Sequence, residues 1–271
     1  MSQTKPTEII ICPPLFDCRN ISICRGKKRV LDSFSLTIPD GEHVAILGPN
    51  GSGKSTLIKV LLRELYPMQD EKPHTCSMFG QEQWHVFDLR THFGVVSNDL
   101  QFTFTQSITG KEVLLSGFFS SVGLFNHVVT SEMEKRTEEI AHFLDIDHLM
   151  TRYMSDLSSG EARRLLIGRA LVHKPRVLIL DEPTSSLDLQ ALHTLRRYLR
   201  QIAISGIGII LVTHQIHDII PEINRVIMMK DGKVFRDGRK EDVMTSAAIG
   251  DLFGIPVTIK EENGYYYASG Y

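Results

Sequence analysis

Nine residues, Gly48-Pro49-Asn50-Gly51-Ser52-Gly53-Lys54-Ser55-Thr56, constrain this chain more than any other stretch. They match the phosphate-binding pattern G-x-x-x-x-G-K-[ST] at every fixed position. The run before them, His43–Leu47, is apolar and β-branched, as a strand buried on both faces should be. The run after them, Ser55–Leu65, carries apolar residues at helical spacing. A strand, a Gly-rich loop and a helix in that order predict an α/β fold. Glycines at 48, 51 and 53 let the backbone curl, so that several N–H groups aim at one phosphate. The new helix adds the positive end of its dipole. Lys54 is placed to neutralise charge between the β- and γ-phosphates, and the Ser55 hydroxyl to reach Mg²⁺. A Gly/Ser-rich surface turn is the plain alternative, and the flanking strand and helix speak against it.

The rest of the composition narrows the partners. The chain has 271 residues, 42% apolar and 23% charged, which suits one large globular domain carrying an insertion. Its 30 basic and 32 acidic residues give a net charge of −2, so no basic surface invites non-specific nucleic-acid binding. The apolar cluster Ile9–Ile11 is too short for a secretory core, and Ile202–Thr213 falls short of a membrane span. Cys12, Cys18, Cys24 and Cys76 contain no CxxC pair and predict reduced thiols.

Along the chain, residues 1–14 are polar and Pro-containing and predict a loose start. Phe16–Ile38 predicts two strands around the basic turn Arg25–Arg29, and Pro39-Asp40-Gly41 a turn. Residues 67–92 predict turns and short strands around Cys76–Phe79, with Trp84 packed, and Phe93–Ser97 another strand. Residues 102–157 predict helices over Thr109–Phe119 and Ser131–Leu144, the second opened by a Ser131/Glu134 capping box. The apolar, aromatic stretch Gly117–Val129 is either internal packing or a seat for a partner. Ser158 and Glu161 make another capping box before a helix over Ala162–His173. That helix start, with Ser158, Ser159 and Gly160, could also receive an anion.

Arg176–Leu180 predicts a buried strand ending in Asp181-Glu182-Pro183. Two carboxylates at a strand's carboxyl end suit two tasks: Asp181 holding the Mg²⁺ shell, and Glu182 orienting or deprotonating an attacking water. Next comes an amphipathic helix with Leu189, Leu192, Leu195, Leu199 and Ile202 on one face. A last buried strand, Ile207–Val212, ends at Thr213-His214, which places His214 within reach of a γ-phosphate. Val226–Phe235 predicts a hairpin around Asp231-Gly232.

Together these motifs resemble the ATP-binding cassette (ABC) ATPases over nearly the whole chain. Gly48–Thr56 resembles the Walker A loop, Leu157–Glu161 the signature motif, and Leu178–Glu182 Walker B with its catalytic glutamate. Ser186-Leu187-Asp188 is similar to the D-loop, and His214 to the switch histidine. The resemblance implies a P-loop NTPase (RecA-like) core with an antiparallel β subdomain and an inserted α-helical subdomain at about 102–157. It implies a domain over 9–250 and a short extension over 251–271. It implies ATP and Mg²⁺ as cofactors, with Lys54, Glu182 and His214 catalytic and Ser55 and Asp181 on the metal. In that family two copies meet head to tail, so Ser158, Ser159, Gly160, Glu161 and Asp188 would serve the partner's nucleotide.

Two departures stand out. The family's Q-loop amide is either Gln101 or Asn98 here, as a further metal ligand. The position that usually stacks on adenine is Arg25, whose guanidinium could stack or remain a solvated turn residue. The tail from Asp242 to Tyr266, and Val113–Leu124, resemble importer ATPases for iron-siderophores, cobalamin and molybdate. The implied function is an importer ATPase working through separate membrane permease subunits from the cytoplasmic face. The alternative is a soluble ABC ATPase acting on nucleic acid, ribosomes or regulation. A P-loop kinase or GTPase would leave the signature and His214 unexplained.

Overall fold

The computed structural model describes residues 13–68, 73–97, 100, 103–104, 107–124 and 127–271. The loose start expected at 1–14 lies almost wholly outside them, as do Asn98 and Gln101. The chain opens with a hairpin, β1 (Phe16–Arg25) and β2 (Lys28–Ile38), turning at Gly26. It then enters β3 (Val44–Leu47), the loop 48–53 and α1 (Lys54–Leu61). Next come β4 (Thr75–Met78), α2 (Val86–His92) and β5 (Phe93–Val96). A helical block follows: α3 (Gly110–Ser116), α4 (Ser131–Phe143) and α5 (Ser159–Leu171). The chain returns through β6 (Val177–Asp181), α6 (Leu189–Ile204), β7 (Gly208–Thr213), β8 (Arg225–Lys230) and β9 (Lys233–Arg239). It ends with α7 (Lys240–Val243), α8 (Ser246–Phe253) and the hairpin β10 (Thr258–Glu262) and β11 (Tyr265–Ser269).

Six strands form the central sheet in the order β5-β6-β7-β3-β8-β9, parallel except for β9. Both faces are covered, which is why β3, β6 and β7 read as continuous apolar runs. Val44, Ile46, Ile179, Ile210 and Val212 face one way, into a core shared with α1 and the antiparallel sheet β2-β1-β4. Ala45, Leu47, Leu178, Leu180 and Leu211 face the other way, into a core shared with α5 and α6. The site therefore sits where β6, β7 and β3, adjacent in the sheet, all finish.

Several boundaries differ from the expectation. Helix α1 stops at Leu61 rather than Leu65 because Arg63 turns left-handed (φ 56°). Its guanidinium is buried and donates to the carbonyls of Cys76 and Glu82, each at 2.7 Å, so a tertiary anchor overrides helix propensity. Helix α2 replaces part of the turns expected over 67–92; Trp84 does pack, its Nε1 donating to the Met78 carbonyl at 2.8 Å. Thr130, not Ser131, caps α4, accepting from Met133 N at 3.3 Å. Helix α5 starts at Ser159, three residues before the expected position. Leu189 lies off the buried face of α6 and is 85% exposed, while Tyr198 takes a core place the leucine pattern did not reveal. In the stretch 117–129, Phe118 and Val122 pack against the core while Val128 is exposed. Cys18, Cys24 and Cys76 are free thiols, and Cys12 lies outside the described residues.

The candidate nucleotide site

The loop after β3 is shaped by close packing on its outer side. A Cβ on Gly48 would lie 2.3 Å from the Met229 carbonyl oxygen, so β8 excludes any side chain there. Gly53 has φ 104° and its absent Cβ would meet Leu31 Cδ2 at 2.8 Å. Gly51, by contrast, has φ 82° and faces open space. The β8–β9 hairpin tip braces the loop from outside, with Gly232 N donating to the Ser52 carbonyl at 3.1 Å. The loop is thus pressed from one side and open on the other.

Three features of the open side fit a phosphate. Gly53 provides no side-chain cap for α1, and the first N–H groups of a helix have no intrahelical acceptor. Ser52 is 3% exposed, and its Oγ has no hydrogen-bond partner among the described residues. Lys54, 6% exposed, folds back to donate to the carbonyls of Gly48 at 2.7 Å and Pro49 at 3.1 Å. Burial pushes its ammonium pKa down, while Glu182 and Asp181 pull it up. An incoming polyphosphate would give Lys54 a stronger acceptor than those carbonyls. Thr56 is buried in α1, and Ser55, Asn50 and Gly51 are exposed at the loop mouth. An exposed hydroxyl and the Asp181 carboxylate, joined by phosphate oxygens, make an oxygen-only donor set suited to Mg²⁺.

Across the sheet, Asp181 ends β6 and pairs in register with Val212 of β7. Glu182 prolongs that ladder, its N–H donating to the Val212 carbonyl at 2.8 Å. It then turns left-handed with φ 51°, a strain of about 1–3 kcal/mol for a residue with a side chain. That turn brings Glu182 Oε2 to 2.7 Å from His214 Nδ1 and Oε1 to 3.9 Å from Lys54 Nζ. The loop lysine, both carboxylates and His214 therefore gather at three adjacent strand ends.

The signature residues assemble elsewhere. Ser158 caps α5: its Oγ accepts from Glu161 N at 3.3 Å, and Glu161 Oε2 accepts from Ser158 N at 2.8 Å. Burial raises the Glu161 carboxyl, but the Ser158 donors and the charges of Arg152 and Arg164 more than offset it, so its pKa lies below the ordinary value. Ser159 Oγ donates to the Ser186 carbonyl at 3.1 Å. A Cβ on Gly160 would lie 2.7 Å from the Ala191 Cβ. Asp188 caps α6, accepting from Ala191 N at 2.7 Å. Ser158, Gly160, Glu161, Arg164 and Asp188 line one cavity of about 280 Å³. No residue of the loop 48–56, nor Asp181, Glu182 or His214, lines it.

Arg25 is exposed where β1 ends, opposite Lys28, on the hairpin whose Leu31 touches Gly53. Sequence patterns do not reveal Met229 against Gly48, or the buried carboxylate of Asp218 beside Thr213 at the end of β7. Neither occupies a motif position, and only the fold brings them there.

A family model described as ABC transporter matches residues 31–185, more than half of the chain. The chain belongs to the ABC transporter family. A hemin import ATP-binding protein of Escherichia coli O157:H7 is 32% identical over 92% of this chain and 95% of its own length. A zinc import ATP-binding protein of Hydrogenovibrio crunogenus is 31% identical over 89% and 88%. A dimeric bacterial ABC transporter cassette superposes with a TM-score of 0.67 at 26% identity, covering 83% of this chain and 98% of that one. This ABC cassette is accordingly an ATPase with a P-loop NTPase fold. No helix among its described residues is long and apolar enough to cross a membrane.

Proposed function

We propose that this cassette energises import through separate membrane subunits by binding and hydrolysing Mg²⁺-ATP between two copies of itself. The observation that carries the reading is the division of the machinery. Lys54, Asp181, Glu182 and His214 converge at the strand ends, while Ser158, Gly160 and Asp188 line a different cavity. A single chain thus holds two half-sites, and head-to-tail pairing would join the halves. In the closed site, the loop N–H groups and Lys54 would hold the β- and γ-phosphates. Ser55 and Asp181 would hold Mg²⁺, which neutralises charge on the phosphates. Glu182 would take the proton of the attacking water, and His214 would fix Glu182 and meet the γ-phosphate. Ser158 and the α5 N-terminus would close on the partner's γ-phosphate. Arg25 would lie against the base, and Gln101 or Asn98 would complete the metal shell.

Import is the reading because relatives at 31–32% identity over about nine-tenths of this chain are named import ATP-binding proteins, for hemin in one case and zinc in another. Two different cargoes leave the cargo of this chain open. A groove lined by Leu62, Arg90, Ser97, Leu100 and Arg169 lies between the sheet and the helical block, with Phe87 of α2 68% exposed. It offers a seat for a cytoplasmic loop of a membrane subunit and would hold the cassette peripherally at that face. The test is ATP turnover by the purified chain, with and without candidate permeases in proteoliposomes. Stimulation by a permease supports import; turnover that no permease alters and that nucleic acid stimulates would overturn it.

A further inference from the structure

Asp218 lies four residues beyond His214, at the end of the 3₁₀ turn Ile216–Asp218, and is 1% exposed. None of the roles assigned to the nucleotide site uses it. Burial pushes its carboxyl pKa up, and the charge of Glu182 adds to that. As a stabilising group it is therefore a poor choice, because a buried carboxylate gives up its hydration.

Its contacts suggest another task. Thr213 Oγ1 donates to Asp218 Oδ2 at 2.6 Å, and Thr184 Oγ1 donates to the same oxygen at 2.8 Å. Thr213 Oγ1 in turn accepts from Gln215 N at 2.9 Å. The other carboxylate oxygen, Oδ1, lies 3.6 Å from His217 Nε2. The two threonines belong to different loops. Thr213 ends β7 and immediately precedes His214. Thr184 follows Glu182 by two residues, and its carbonyl accepts from Leu187 N at 3.1 Å, next to Asp188. One oxygen atom thus ties the loop carrying Glu182 to the loop carrying His214. The turn is also held from outside. Arg196 donates to the His217 carbonyl, and its guanidinium lies 4.7 Å over the Tyr265 ring.

We infer that Asp218 is a positioning residue for hydrolysis: through Thr184 and Thr213 it sets the separation and angle between Glu182 and His214. It does not reach the nucleotide. Its contribution should appear in the chemical step and not in binding, because among the described residues its hydrogen bonds go to Thr184 and Thr213 and not to the phosphate loop. A misplacement of about 1 Å at a reacting group can cost about a hundredfold in rate. This inference rests on the ATPase reading of the same site.

The test measures kcat for Mg²⁺-ATP, the Kd for a fluorescent ATP analogue, and the melting temperature. The proteins are the wild type, Asp218→Asn, Asp218→Ala and Thr213→Val. Asp218→Asn keeps one acceptor oxygen for both hydroxyls and should hold kcat within about threefold of wild type. Asp218→Ala and Thr213→Val should each lose about tenfold or more in kcat, with Kd within about threefold. If Asp218→Ala does not fold, Thr213→Val, which keeps the shape of the side chain, decides alone. The inference is overturned if kcat survives in the Ala and Val variants, or if Asn is as impaired as Ala. It is equally overturned if kcat and Kd decline together in step with melting temperature. Absence of turnover in the wild type would instead reject the ATPase reading itself.

Discussion

At the scale of single residues, the loop after β3 holds polar groups that a bound anion would engage. Ser52 Oγ is buried with no hydrogen bond among the described residues, and Lys54 donates to carbonyls of its own loop. A buried hydroxyl without a partner is costly, and a triphosphate would offer it an acceptor and would give Lys54 a stronger one. Lys54→Ala should therefore weaken ATP binding at least about tenfold, read by nucleotide titration; an unchanged Kd would reject the loop as the site. Glu182→Gln keeps the shape of the side chain but cannot take a proton. Its kcat should drop by about 10²–10⁴, while ATP is still bound. Full turnover in that variant would reject Glu182 as the base. Gly48→Ala would press a methyl group against the Met229 carbonyl, where only 2.3 Å is free. It should lower the melting temperature as well as nucleotide affinity, since β8 would have to move.

At the scale of elements, the capping box on α5 holds a helix end and lines a cavity at once. Ser158→Ala removes one helix cap and should cost about 1 kcal/mol, measured by urea unfolding without nucleotide. The Glu161 side of the box is pH-dependent. Its folded pKa lies below its unfolded value of 4.5, so its contribution is fully present above about pH 4.5 and is lost as pH falls through the folded value. A Glu161→Gln variant should differ from wild type in stability at pH 6 and converge with it in acid. The C-terminal hairpin β10–β11 was not legible from sequence, whereas strands β3, β6 and β7, the loop between β3 and α1, and the β1–β2 and β8–β9 turns were. Each is fixed by local chemistry: a doubly buried apolar run, or a turn that demands positive φ. What escaped was set by distant contacts. Helix α1 ends early because Arg63 reaches across to Cys76 and Glu82, and Leu189, the first residue of α6, faces solvent while Tyr198 takes a core place. The roles of Glu182 and His214 were inferred from motif order. Their 2.7 Å contact needed the sheet order, which no run of residues encodes.

At the scale of the whole molecule, the C-terminal hairpin is part of the main body. Lys240 is buried and donates to the carbonyls of Ile220, Pro221 and Gly264, while Ile259, Tyr265 and Ala268 pack against the core. Truncation after Phe253 should therefore lower the melting temperature by several degrees, seen by calorimetry; an unchanged value would mean the hairpin only rests on the surface. If Mg²⁺-ATP joins two copies, the Glu182→Gln protein should elute as a dimer with Mg²⁺-ATP and as a monomer once EDTA is added. The separate placement of loop and signature carries a further consequence. Two crippled proteins, one Lys54→Ala and the other Ser158→Glu, should each be nearly inert alone. Mixed, they can form a pair in which one nucleotide meets an intact lysine from one chain and an intact serine from the other. Activity that appears only on mixing would be genetic complementation reproduced in a test tube.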